Sequence, residues 1–126
     1  MPTVLVVDDN TMYRKLAAGI VEKAGMTTVP AVNGREAVEI IDKYKEFLLC
    51  LITDVKFKRS EGDIETSGLD LVRYVREKFR DIPVIIQSSD ERNADFAHQL
   101  KATFIYKFSE TLSQDFHSFI THFLGF

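Results

Sequence analysis

The chain has 126 residues, 45% apolar and 28% charged, with a net charge of −3, which is the balance of one folded domain and not of a disordered segment. The weak negative charge argues against a general nucleic-acid-binding surface, and one cysteine excludes an internal disulfide. No apolar run approaches the roughly 20 residues that span a bilayer, and Val4–Val7 gives way to Asp8-Asp9 too soon for a secretory signal, so a single cytoplasmic domain over residues 1–126 is expected.

Two hydrophobic periods alternate along the chain. Val4 to Val7 reads as a strand buried on both faces. Met12, Leu16, Ile20 and Ala24 then recur every four residues, with Thr11 as the expected helix N-cap and Gly25 just past the end. Thr27 to Ala31 is a second strand, and Asn33-Gly34 is turn chemistry before the helical stripe Ala37, Val38, Ile41 and Tyr44. Phe47 to Thr53 is a third strand ending in Asp54. The pattern is lost from Val55 to Ser67, which reads as a loop. Leu69, Val72, Val75 and Phe79 restore the helical period, and Asp81-Ile82-Pro83 closes it. Val84 to Ile86 is a fourth strand, Asn93 to Leu100 a short helix, and Thr103 to Tyr106 a fifth strand. Leu112, Phe116, Phe119, Ile120 and Phe123 share one face of a last helix. Strands alternating with helices imply a parallel sheet covered on both faces, and right-handed crossovers make it doubly wound.

In such a sheet ligands bind beyond the carboxyl ends of the strands. There the sequence places Asp8 and Asp9, Asp54, Ser88 and Lys107, after the first, third, fourth and fifth strands. Singly, each has an ordinary reading: acidic residues suit a helix N-terminus, and an Asp closing a strand is a common turn former. Jointly they read as a phosphoryl-transfer site. Clustered carboxylates repel unless a cation neutralises them, and an all-oxygen set with room for water suits Mg²⁺. Ser88 can donate to a phosphoryl oxygen and Lys107 can supply a point charge for it.

The string Val4-Leu5-Val6-Val7-Asp8-Asp9-Asn10, Asp54, Ser88 after Pro83-Val84-Ile85-Ile86-Gln87, and Lys107 together resemble response-regulator receiver domains, from Thr3 to about Leu124. The resemblance implies a flavodoxin-like fold with five parallel strands in the order 2-1-3-4-5. It also implies that Asp54 accepts a phosphoryl group from a histidine kinase or phosphotransfer protein. Asp9 and Asp54 would contact Mg²⁺ directly, Asp8 through water, and the backbone carbonyl of Lys56 would complete the set. Ser88 takes the place of the switch hydroxyl and Lys107 that of the family's lysine. Such a domain catalyses only its own phosphorylation and dephosphorylation, and acts on an output domain or partner protein, or as a homodimer.

Several positions depart from the family pattern. Lys58 stands where a proline is common, and the matching helix-opening glycine is Gly68, so the loop is longer by roughly six residues and reads as a solvated loop, or else as a lid or docking element beside the phosphorylation site. Phe108 follows Lys107 where proline after a cis bond is usual. A cis bond before Phe costs about 3 kcal/mol, so a trans peptide is expected. Phe104 holds the aromatic switch position without a hydroxyl, and Lys101 replaces a typical C-capping glycine. Lys56 and Asp90, two residues after Asp54 and Ser88, are expected to pair as a gate over the site, or else Lys56 serves as a charge for the phosphoryl group. His98, His117 and His122 lack metal-ligand spacing, and Cys50 reads as inert packing.

The expected function is that of a two-component receiver, whether complete or cut from a longer protein, given the hydrophobic end at Gly125-Phe126. A rival reading is a receiver-like interaction module that works without phosphorylation. A Mg²⁺-dependent phosphatase ranks last, because Lys56 stands where a second catalytic Asp is needed.

Overall fold

The computed structural model describes residues 3–56, 67–79 and 81–124. In chain order it contains β1 (Thr3–Val7), α1 (Thr11–Lys23), β2 (Thr27–Ala31), α2 (Gly34–Tyr44), a 3-10 turn (Lys45–Phe47), β3 (Leu48–Asp54), α3 (Gly68–Lys78), β4 (Val84–Ser88), α4 (Asn93–Gln99), β5 (Thr103–Tyr106) and α5 (Leu112–Leu124). The strands are parallel, as the alternation of strands and helices predicts, and ordered β2-β1-β3-β4-β5, as the family resemblance implies.

Strand alternation builds two cores. Val4 and Val6 of β1, Cys50 and Ile52 of β3, Ile85 of β4 and Ile105 of β5 pack with Ala17 and Val21 of α1 and Phe116, Phe119 and Ile120 of α5. Leu5, Val7, Leu51 and Ile86 face the other way, onto Ala37 and Ile41 of α2, Leu71, Val72 and Val75 of α3 and Ala97 of α4. Because the central strands are buried on both faces, they read as continuous apolar runs and not as alternating ones.

Element ends differ from the sequence reading in specific ways. Asn10, not Thr11, caps α1: its backbone is extended (φ −88°), and its Oδ1 accepts from the amides of Met12 and Tyr13 at 3.0 and 3.2 Å. Phe47 falls in the 3-10 turn and is exposed, since pairing with β1 begins at Leu48. Phe79 ends α3 with φ −138° instead of extending it. β4 runs two residues further than expected, through Gln87 and Ser88, because these pair with Asp54 of β3 and Tyr106 of β5.

Lys101 adopts φ 56°, the left-handed conformation in which a helix commonly ends on glycine. Its amide donates to His98 O at 3.1 Å and that of Ala102 to Ala97 O at 2.8 Å, which is the pattern Gly25 and Met26 make at the end of α1. The Arg76 guanidinium donates to the carbonyls of Ile82, Leu100 and Lys101, so the helix end is satisfied from α3 although a lysine stands there. Residues 57–66, with Lys58 and most of the long loop, lie outside the described residues, as do Gly125 and Phe126.

Candidate functional site

The alternation that builds the α1/α5 core continues past it. Two residues beyond Val6, Ile52, Ile85 and Ile105 stand Asp8, Asp54, Gln87 and Lys107, so four polar groups crown one face of the sheet at its carboxyl edge. Lys107 Nζ lies 2.8 Å from Asp8 Oδ2 and 2.9 Å from Asp54 Oδ2. Asp8 Oδ1 accepts from the Asn10 amide at 2.8 Å, and Asp54 Oδ1 from the Val55 amide at 2.7 Å. Asp9, half-buried in the loop after β1, completes a set of carboxylates whose nearest oxygens all lie within 4.8 Å of one another. Asp8 has no exposed surface, Asp54 is 9% exposed and Lys107 8%. Asp8 is therefore a buried, paired charge and not an exposed acid at a helix N-terminus.

One ammonium serves two buried carboxylates, and Asp9 adds a third negative charge. Burial pushes the Asp54 carboxyl up, Lys107 pulls it back, and the charge of Asp8 adds to the rise. Burial by itself would lower the Lys107 ammonium, but its hydrogen bonds to Asp8 and Asp54 outweigh that and hold it above its ordinary value. The Tyr13 ring, 4.5 Å from Nζ, adds a cation–π contact. The site thus keeps Lys107 charged and leaves an excess of negative charge on hard oxygen donors. That donor set fits Mg²⁺.

Ser88 is one residue out of phase with the crown and turns towards α4. Its Oγ accepts from the Asp90 amide at 3.0 Å and from Asn93 Nδ2 at 2.9 Å, while its carbonyl accepts from the Lys107 amide at 2.8 Å. The structure does not form the expected Lys56–Asp90 gate. Asp90 is forked by Arg92, two residues away, with contacts of 2.7 to 3.1 Å, and Arg92 holds its carboxyl down to about 2. Lys56 is exposed and acts on Asp90 only as the weakest of the charges around it.

The Lys107–Phe108 peptide is trans, as no cis bond occurs among the described residues. Phe108 is exposed and meets Tyr106 edge to face, whereas Phe104 packs half-buried against the α2/α3/α4 core. Cys50 is buried and its thiol pushed up by desolvation, as inert packing requires. No histidine joins a metal-ligand cluster among the described residues.

Sequence reasoning missed three contributors. Gln87, with no exposed surface, donates from Nε2 to Asp8 Oδ2 at 2.7 Å. Arg14 holds the Asp8 carbonyl at 2.9 Å, and Tyr13 faces Lys107. None carried a clear signal: Gln87 directly follows the apolar run Val84 to Ile86 and so reads as the start of the turn.

The family model of the response regulator receiver domain matches residues 4–110. The chain is 30% identical over 98 residues to Regulator of RpoS from Escherichia coli K12, an alignment covering 78% of this chain and 27% of that protein. It therefore spans little more than a quarter of that relative. A response regulator receiver protein from Pseudomonas putida superposes with a TM-score of 0.66 at 30% identity, covering 84% of this chain and 85% of that one. A CheY-like receiver domain protein from Methanospirillum hungatei gives a TM-score of 0.79 over 99% of this chain and 94% of its own, and at 20% identity shows the shared fold. No described helix is long and apolar enough to cross a membrane. With its matched sequence, its strand order and its acidic crown, the chain belongs to the response regulator receiver domains of two-component systems.

Proposed function

We propose that Asp54 accepts a phosphoryl group from a phosphohistidine of a kinase or phosphotransfer protein, and that the modified domain changes its interaction with an output domain or partner protein. The observation that carries this reading is Lys107 bridging Asp8 and Asp54 inside a set of carboxylates within 4.8 Å of one another. An Asp54 oxygen attacks phosphorus, the O–P bond forms as the donor's P–N bond breaks, and the histidine nitrogen leaves with a proton. Lys107 is placed to exchange its contact with the Asp54 carboxylate for one with a phosphoryl oxygen. Ser88 Oγ accepts from the Asp90 amide and from Asn93 Nδ2, which leaves its own hydroxyl proton to donate to the same group. Asp8, Asp9, Asp54 and the Lys56 carbonyl would hold Mg²⁺, which when bound offsets phosphoryl charge. The domain catalyses this transfer only on itself.

Incubation with acetyl phosphate and Mg²⁺ is expected to add roughly 80 Da at Asp54, as one phosphoryl group does. Asp54→Asn should abolish the adduct and chelation of Mg²⁺ should suppress it, both read by intact-protein and peptide mass spectrometry. A native protein that stays unmodified with either acetyl phosphate or a phosphorylated kinase would favour the phosphorylation-independent interaction module instead.

A further inference from the structure

Gln87 is the residue the proposed chemistry leaves unexplained. It lies in β4 with no exposed surface, between Ile86 of one core and the paired strands on either side. Its Nε2 donates to Asp8 Oδ2, an oxygen that already accepts from Lys107 Nζ. Its Oε1 is buried and has no hydrogen-bond partner among the described residues. The amide cannot be turned over to cure this, because the carbonyl oxygen would then face the Asp8 carboxylate. A buried acceptor left without a donor destabilises a fold, and an apolar residue of the same size would avoid the penalty. The Nε2 bond to Asp8 accounts for an amide at this position, and the oxygen is left for a donor in another state of the site.

We propose that Gln87 is a positioning residue for the divalent cation of the acidic crown. Its NH₂ group fixes the Asp8 carboxylate, and its oxygen accepts from a water that the cation carries. This rests on the Mg²⁺ reading above. It draws its force from the chemistry of the ion: Mg²⁺ dehydrates reluctantly, so a site for it needs acceptors for its waters as well as carboxylates for its charge. The crown has carboxylates in place, and the two amide heteroatoms of Gln87 share one carbon, so the unpartnered oxygen lies beside Asp8. When Lys107 exchanges Asp54 for a phosphoryl oxygen, Asp8 Oδ2 keeps both of its side-chain donors, Lys107 and Gln87.

The test is Mg²⁺ binding by isothermal titration calorimetry, alongside thermal unfolding of the metal-free domain. Gln87→Met keeps the length of the side chain, and Gln87→Leu is the second variant should the first pack poorly. Either variant gives up the Nε2 bond to Asp8 together with the orphaned oxygen, opposing effects of similar size, so its metal-free melting temperature is expected to stay near the native one. Its Mg²⁺ affinity should nevertheless fall about 10- to 100-fold, the usual effect of losing a partner of a metal ligand. Native binding of Mg²⁺ with equal affinity in both variants would overturn the role of Gln87 and leave the metal reading standing. A weaker affinity matched by a loss of metal-free stability would also overturn it, as the mark of a structural role alone. Absence of Mg²⁺ binding by the native protein would remove both readings together.

Discussion

Gly68 opens α3 directly beneath the acceptor strand. A Cβ built on it would stand 1.7 Å from the Asp54 carbonyl oxygen and 2.9 Å from Val55 Cα, distances at which backbone must move. The Gly68 amide donates to Val55 O at 2.8 Å, so helix and strand end are held together by the contact that excludes a side chain. The glycine is thus required for close approach and not for turn geometry. Gly68→Ala is expected to cost about 1–3 kcal/mol, the usual range for overpacking, measured by urea unfolding. The same variant should slow acetyl-phosphate labelling, because Asp54 is displaced with its backbone. A variant with native stability would mean that the strand end yields to the new methyl without resistance.

At the scale of an element, α3 is held by a reciprocal cap. Ser67 Oγ accepts from the Asp70 amide at 3.2 Å, and Asp70 Oδ2 accepts from the Ser67 amide at 3.2 Å and its hydroxyl at 3.0 Å. The backbone bond from Ser67 is the largest cause holding the Asp70 carboxyl below its ordinary value, followed by the Ser67 hydroxyl, with Arg73 adding less. A carboxyl depressed by folding contributes stability that is present above its unfolded pKa, about 3.9, and lost as pH falls through the folded value. Asp70→Asn should therefore lower the melting temperature at pH 7, and the gap to the native protein should close in scans taken progressively below pH 4. With half of the Asp70 side chain exposed, the effect at pH 7 is expected at no more than about 0.5–1 kcal/mol. A gap independent of pH would show that the cap acts without its charge.

The whole molecule concentrates like charge at one edge of its sheet, with β1, β3 and β5 tied there by Lys107 alone among the cations of the described crown. Binding of a cation to the folded chain must then raise its stability by mass action, by about 2.7 kcal/mol at a hundred times the dissociation constant. Mg²⁺ is accordingly expected to raise the melting temperature by several degrees. Asp9→Asn should remove most of that rise, with little change in the metal-free protein because Asp9 is only half-buried. Equal Mg²⁺ stabilisation in Asp9→Asn would take Asp9 out of the cation site.

How much of this was legible in the sequence follows from the range of the interactions involved. Apolar runs and helical stripes gave the elements, because burial on both faces of a strand and on one face of a helix is written in local periodicity. The order of Asp8, Asp9, Asp54 and Lys107 at strand ends was equally readable, since chain connectivity and the sheet rule bring those ends to one edge. The pairing of Asp90 was not, because Arg92 and Lys56 compete for it and only the turn after β4 decides that the nearer cation wins. Nor was the lysine that ends α4 in a left-handed conformation, whose carbonyls are satisfied by Arg76 from another helix. Gln87 and Ser88 show the division most clearly. Adjacent in the chain, they diverge by one step of strand alternation, which sends the amide to Asp8 and the hydroxyl to Asn93. The sequence by itself determined which residues reach the edge of the sheet. Which atoms meet there was decided only by tertiary packing, because the partners come from strands and helices far apart in the chain.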